Sequence, residues 1–358
     1  MSNFKTLCIS DIHLKDFSFR NQHLDMFEYN ASLEMFKKVY DIIEEYKVEN
    51  LYILGDLLDA VGLAQSLDLM HQFFTGLPKG LKNMKLINGN HELIEGKTKK
   101  QYYFNTIKQK MLDNYGVEVL EYNEINKTLF CGHNSISKLE NLSKQYDIVY
   151  SHFRSNLMPL ASDEINVEML EHKARLVICG DIHYKSLRGN IVYCGSPIDV
   201  SFSSSNELPD HQPSVLILNE DTLGWEWKNT LTTSYRKYKR VYPSVKKFLE
   251  DVENLEQDAI SNNNFYKIVI QDKKANLKQV NINNYKHFAI FELNHIDLMF
   301  DKENKKIDKQ IIDNLSAKNV SNNLLDFIIK NCDRKELVEN VKQTYHIYDV
   351  GSAKEAND

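Results

Sequence analysis

Five short apolar runs in the first 183 residues each stop at side chains able to carry charge or bind a metal. "KTLCIS" (5–10) leads into Asp11 and His13. "LYILG" (51–55) leads into Asp56 and Asp59. "MKLIN" (84–88) leads into Gly89, Asn90, His91 and Glu92. "DIVYS" (147–151) leads into His152, and "RLVICG" (175–180) into Asp181 and His183. Runs of this length, rich in Val, Ile, Leu and Tyr, read as strands. Further strands are predicted at 117–120, 128–132, 191–194, 214–218 and 223–227. Between the early runs lie helical patterns such as "ASLEMFKKVYDIIEEYK" (31–47), with apolar residues three and four apart. Alternation of strand and helix predicts an α/β fold with helices covering the sheet. The later hairpin-like strands predict a mixed sheet or a two-sheet sandwich.

Open α/β sheets place their sites in the crevice beyond the carboxyl ends of the strands. Taken singly, each polar end here is ordinary turn chemistry. Taken together they make a mixed nitrogen and oxygen donor set, and four of the 12 histidines (His13, His91, His152, His183) belong to it. Two divalent ions about 3.5–4 Å apart clamp the attacking and leaving oxygens of a phosphoryl displacement and need such a set. These donors suit Mn²⁺, Fe²⁺ or Zn²⁺ better than Mg²⁺ or Ca²⁺, which prefer all-oxygen shells. No thiolate stands at the strand ends, which argues against a structural zinc site. Cys8, Cys131, Cys179, Cys194 and Cys332 form no C-x-x-C pair and read as thiols of a reducing compartment.

The formal net charge of -6 excludes nucleic-acid binding by bulk charge, so DNA contact would need local basic patches or metal ions. No apolar run approaches membrane-spanning length, and "MSNFKTLCIS" lacks a secretory pattern, so a cytoplasmic location is expected. Composition changes near residue 230, predicting three regions. They are a strand-rich domain (1–229), a small α+β segment (230–302) with a helix at 244–259 and strands at 265–271 and 287–293, and a helical C-terminal segment (303–358).

The order D-x-H, G-D-x-x-D, G-N-H-E, H, G-D-x-H over residues 11–183 resembles the calcineurin-like metallophosphoesterase superfamily. "YCGSPIDVSF" (193–202) is similar to the G-S-P segment of SbcD-type nucleases and their bacteriophage recombination-endonuclease relatives. The resemblance implies a four-layer αββα sandwich with a small capping domain and a helical C-terminal tail. It implies that Asp11, His13 and His183 hold one metal, that Asp56 bridges, and that Asn90, His152 and Asp181 hold the second. Mn²⁺ is the expected ion and Mg²⁺ the alternative. His91 would serve the leaving oxygen, and Asp59, a helical turn past Asp56, would orient it as a carboxylate–imidazole dyad. Two positions depart from the pattern. Asp181 stands where the family usually has histidine, and adds a third carboxylate to Asp11 and Asp56. Ala60 stands where phosphoprotein phosphatases carry arginine.

Lys97, Lys99, Lys100, Arg154, Lys185, Arg188, Arg236, Lys237, Lys239 and Arg240 are candidate phosphate contacts, placed near the cleft or interleaved with aromatics. The reading implied is a DNA exonuclease with single-strand endonuclease capability. It would dimerise through the nuclease domain and work with an SMC-like ATPase of SbcC type, docked by amphipathic helices within 306–347. The alternatives are a small-molecule or nucleotide phosphodiesterase of the same superfamily and a non-catalytic ATPase-binding scaffold.

Overall fold

The computed structural model describes residues 4–18, 21–60, 64–95, 100–154, 165, 170–202, 212–271 and 280–293. Two six-stranded sheets form its centre. The first holds β1 (Thr6–Ile9), β2 (Asn50–Leu54), β3 (Asn83–Ile87), β6 (Val117–Leu120), β13 (Ser214–Asn219) and β14 (Gly224–Asn229), in the order β14-β13-β1-β2-β3-β6. The second holds β7 (Tyr122–Ile125), β8 (Thr128–Cys131), β9 (Tyr146–His152), β10 (Ala174–Gly180), β11 (Ser186–Arg188) and β12 (Ile191–Tyr193), in the order β11-β12-β10-β9-β8-β7. A small hairpin, β4 (Leu93–Glu95) and β5 (Lys100–Tyr102), stands apart.

The central strands read as unbroken apolar runs because both their faces are buried. In β1 and β2, Leu7, Ile9, Leu51 and Ile53 face outward under helices, while Cys8, Tyr52 and Leu54 face inward. The inward set meets Phe130, Ile148, Tyr150 and Ile178 of the second sheet. Helices α1 (Gln22–Tyr46), α2 (Ala64–Thr75) and α3 (Tyr103–Tyr115) cover the first sheet, packing Phe36, Val39, Phe73 and Phe104 against it. Helix α1 starts nine residues before the predicted stretch. Asn21 caps it, its side-chain oxygen accepting from the His23 and Leu24 N–H groups at 3.1 Å each.

The expected sandwich is present. Among the described residues its second helical layer is thin, a 3-10 helix (His133–Asn141) whose Leu139 joins the outer face of the second sheet. Cys8, Cys131, Cys179 and Cys194 are buried free thiols; Cys332 lies outside the described residues.

Beyond the sandwich, β15 (Lys237–Tyr242), β16 (Phe265–Ile270) and β17 (Ala289–Leu293) form a parallel sheet, with α4 (Val245–Asn262) against it. The chain divides into compact units at 1–295 and 296–358, so this small sheet belongs to the same unit as the sandwich. The helices expected within 306–347 lie outside the described residues. Among the described residues no helix is long and apolar enough to cross a membrane.

Candidate metal centre

β1, β2 and β3 run parallel, as do β8, β9 and β10, so within each sheet the carboxyl ends meet at one edge. Past those ends the loops stay laddered. Asp11 N donates to Gly55 O (3.1 Å), His13 N to Asp56 O (2.9 Å), Leu14 N to Leu57 O (2.9 Å) and Asp59 N to Leu14 O (3.1 Å). The backbone therefore sets Asp11, His13, Asp56 and Asp59 side by side before any ion is considered. Asp11 (φ 53°), His13 (φ 48°), Asp56 (φ 51°) and Asp181 (φ 81°) all occupy left-handed backbone. Non-glycine residues visit that region rarely, and such conformations cluster at functional sites. Gly180 lets the strands close in: a Cβ there would sit 2.5 Å from Leu54 O and 2.7 Å from His152 Nδ1.

The side chains converge as two adjoining groups. In one, His13 Nε2 lies 3.2 Å from His183 Nε2, and His183 Nε2 lies 3.9 Å from Asp11 Oδ1. In the other, His152 Nε2 lies 3.9 Å from Asp181 Oδ1 and 3.0 Å from Asn90 Oδ1. Asp56 stands between them, with Oδ2 3.6 Å from His13 Nε2 and 3.4 Å from His152 Nε2. Its Oδ1 is taken by the His91 N–H at 2.9 Å, which aims Oδ2 at both groups. Asp11, His13 and His183, and likewise Asp11, Asp56 and His152, offer ligand atoms within 4.8 Å of one another. His91 also comes within that reach of His13 and Asp56, although the sequence reading gave it no ligand role.

Partners behind the ring orient each imidazole. His152 Nδ1 donates to Leu54 O at 2.7 Å, and His13 Nδ1 pairs with Asp59 Oδ1 at 3.1 Å. Carboxylates and carbonyls behind metal-binding histidines do the same work, turning Nε2 toward the ion. The Asp59 carboxylate thus belongs first to His13. Its distance to His91 Nδ1 is 3.7 Å, and the Asp59 carbonyl is what accepts from His91 Nδ1, at 2.9 Å. The expected Asp59–His91 dyad is corrected accordingly. Residues 56–59 are not helical; a β-bridge between Leu14 and Leu58 brings Asp59 alongside His13.

The electrostatics call for positive charge. Burial works against ionisation of Asp56, but the charge and hydrogen bond of His152, with His13 and His91, outweigh it and hold the carboxyl well below its usual range. Burial equally opposes charge on His152, yet Asp56, Asp11 and Asp181 push that imidazole well above its ordinary value. Burial, reinforced by Asp56, drives Asp11 up to about 6 against the pull of His152 and His13. The Asn90 carboxamide tests the fit of a metal directly. Its inward end lies 3.0 Å from His152 Nε2, 3.2 Å from Asp56 Oδ2 and 3.3 Å from Asp181 Oδ1. Nitrogen-inward it donates to all three; turned oxygen-inward it joins them in a ring of acceptors that a cation would hold together. The nitrogen and oxygen donors fit divalent ions.

A model of one family, calcineurin-like phosphoesterase, matches residues 4–196, more than half of the chain. The chain is a calcineurin-like phosphoesterase. Comparison with curated proteins finds no match. Among solved structures, TT1561 of Thermus thermophilus is 12% identical, with a TM-score of 0.39, covering 63% of this phosphoesterase and 99% of that chain. The nuclease MPE of Pseudomonas putida is 14% identical (TM-score 0.29; 59% and 84% covered). GAP50 of Plasmodium, the anchor in the inner membrane complex, is 10% identical (TM-score 0.33; 64% and 89% covered).

The phosphoesterase surrounds its centre with residues whose roles are not written in the motifs. Glu92, wholly buried, accepts the backbone N–H groups of Asp56 (3.0 Å), Leu58 (3.1 Å) and Gly89 (2.7 Å), stapling two ligand loops together. Tyr102 Oη lies 2.8 Å from His133 Nδ1, and the His133 ring stands edge-on to His152 at 6.4 Å. The G-S-P segment sits behind the centre. Buried Ser196 places Oγ 2.7 Å from Asp11 O, and its N–H donates to His183 O at 2.9 Å. Asp199, three residues on, reaches the small sheet and accepts from Arg236 Nε (2.7 Å) and Lys237 N (3.0 Å).

This last contact corrects two proposed DNA contacts. Arg236 and Lys237 are 4% and 3% exposed. Arg236 is paired with Asp199, and Lys237 Nζ with Glu28 Oε1 at 2.5 Å. Burial, reinforced by Lys15, lowers the Lys237 ammonium to about 8. Both cations tie β15 to the sandwich and are turned away from solvent. Of the others, Lys239 is part-buried, and Arg240 is exposed, over the Tyr238 ring at 5.5 Å. Arg188 is exposed on β11, and Lys185 Nζ donates to Asn229 Oδ1 at 3.3 Å. Arg154 bonds Asp181. Lys97 and Lys99 lie outside the described residues, as does the side chain of Lys100.

Proposed function

We propose that this phosphoesterase is a DNA nuclease that hydrolyses phosphodiester bonds with two divalent ions, Mn²⁺ foremost. One observation carries the substrate assignment. A cleft of about 690 Å³ starts at Asp59, beside the metal centre, and extends to Lys239 and to Lys267, which pairs with Glu292, on the small sheet, with Phe17, Phe202 and the carboxylates of Asp16, Asp25 and Glu28 on its walls. That volume accommodates a ligand far larger than a phosphate group. Lysines suit a phosphate backbone and aromatic rings suit stacked bases. The similarity of residues 193–202 to SbcD-type nucleases supports the same reading.

Asp11, His13, His183 and Asp56 would hold one ion, and Asp56, Asn90, His152 and Asp181 the other. When bound, such ions polarise phosphoryl oxygens and make water nucleophilic near neutral pH. The chain supplies the rest. Asp59 and Leu54 O fix the tautomers of His13 and His152. His91, 38% exposed at its side chain and held through Nδ1 by Asp59 O, would serve proton transfer to the leaving oxygen through Nε2. The partner we propose is an SMC-like ATPase docked by helices within 306–347, with the nuclease domain forming a homodimer.

Purified protein with Mn²⁺ is offered labelled linear duplex, single-stranded DNA and bis-p-nitrophenyl phosphate, with and without the ATPase. Cleavage of both DNA substrates is expected. Turnover of the small ester alone, under every condition, would overturn the DNA assignment. Inactivity in every divalent metal would favour a scaffold.

A further inference from the structure

Asp181 has two oxygens with two different neighbours. Its backbone is fixed, since Asp181 N donates to both Asp11 carboxylate oxygens at 3.1 Å each. Oδ1 turns inward, toward His152 Nε2 and the Asn90 amide. Oδ2 turns outward and accepts from Arg154 Nε at 2.8 Å. The Asp181 side chain is 9% exposed and that of Arg154 is 50% exposed, so the arginine rises from the wall of the centre into solvent.

A guanidinium has five N–H donors in a rigid plane. One is spent on Asp181; among the described residues none engages Nη1 or Nη2. Pinned through Nε, the fork presents four N–H groups in the geometry that grips two oxygens of one phosphate. The carboxylate already holds the side chain, so little ordering remains when substrate arrives. A histidine at 181 could offer a ring nitrogen inward but no carboxylate oxygen to Arg154.

We propose that Arg154, held by Asp181, is a clamp for the non-bridging oxygens of the substrate phosphodiester. One carboxylate thereby serves both the metal group and the phosphate grip. The assignment rests on the phosphoesterase reading above, and makes Arg154 a residue that touches substrate.

The test compares wild type with Arg154→Ala, Arg154→Lys, Asp181→Asn and the Arg154→Ala/Asp181→Asn pair. Steady-state kinetics use bis-p-nitrophenyl phosphate, and calorimetry measures binding of Mn²⁺ and of inorganic phosphate. For Arg154→Ala, KM and the phosphate dissociation constant should rise about ten- to a hundredfold, the range of a charge-assisted contact. Mn²⁺ stoichiometry and affinity should stay at wild-type values. Arg154→Lys should fall between the two. In Asp181→Asn, the additional loss from Arg154→Ala should be smaller. Wild-type KM and phosphate affinity in Arg154→Ala would overturn the clamp. Weakened Mn²⁺ binding as its sole effect would also overturn it, making Arg154 a support for Asp181. Should wild type hydrolyse no phosphate ester, the catalytic reading fails by itself. Phosphate calorimetry then decides the clamp alone: weaker binding in Arg154→Ala upholds it, and equal binding overturns it.

Discussion

Glu92 accepts from three backbone N–H groups, and it does so wholly out of water. Glutamine has nearly the same shape but one acceptor fewer, so its amide must face at least one backbone N–H. Leaving a buried donor unmet costs about 1–3 kcal/mol. Glu92→Gln should lose about that much stability in urea denaturation and bind Mn²⁺ more weakly; wild-type values of both would remove the staple role. The sequence left Glu92 open between a turn residue and a support behind the ligands, because its partners are main-chain groups, which no side-chain pattern displays. Asp59 was legible as a carboxylate belonging to the centre, but its partner was not. The choice between His13 and His91 depends on a β-bridge, and spacing alone suggested a helical turn. The histidines make a separate prediction. Asp56 raises His152, and Asp59, Asp56 and Asp11 raise His13, each against the opposing effect of burial. Metal must displace those protons. Mn²⁺ affinity should therefore increase with pH until both rings are neutral, and calorimetry in buffers of different ionisation enthalpy should register proton release. Affinity independent of pH would contradict the assignment of these rings as ligands.

Among the elements, the strands leading to the centre were the most readable part of the chain. Burial on both faces compresses β1, β2, β9 and β10 into apolar runs that end abruptly at polar loops. β15 was not readable. Its basic, aromatic stretch suggested a solvent-facing patch, whereas Arg236 and Lys237 are consumed by Asp199 and Glu28. Those partners lie 37 and 209 residues away, a distance no local pattern spans. Arg236→Ala leaves the Asp199 carboxylate buried without its cation and should cost about 3–5 kcal/mol of unfolding free energy. Arg240→Ala, at an exposed site, should stay within about 0.5 kcal/mol. Equal stability for the two variants in chemical denaturation would show that the buried pair does not hold the small sheet in place.

At the scale of the described molecule, residues 194–199 join the two sheets' edge to the small parallel sheet through main-chain and carboxylate contacts. The sequence showed that segment only as a resemblance. Its mechanical place emerges when Asp11, His183 and Arg236 are seen around it. The left-handed backbone of Asp11, His13, Asp56 and Asp181 carries a different consequence. A fold that crowds carboxylates together in an unfavourable conformation is, without its ions, arranged against itself. Asp181→Gly relieves φ 81°, on the order of 1 kcal/mol, and gives up an ion pair with half-exposed Arg154 worth about 0–1 kcal/mol, so in EDTA it should match or exceed wild type in stability. With Mn²⁺ present, the tighter ion binding of wild type should place it ahead by mass action. The order of stability of these two chains would then depend on the ion in the tube, and thermal melts with and without Mn²⁺ should cross over.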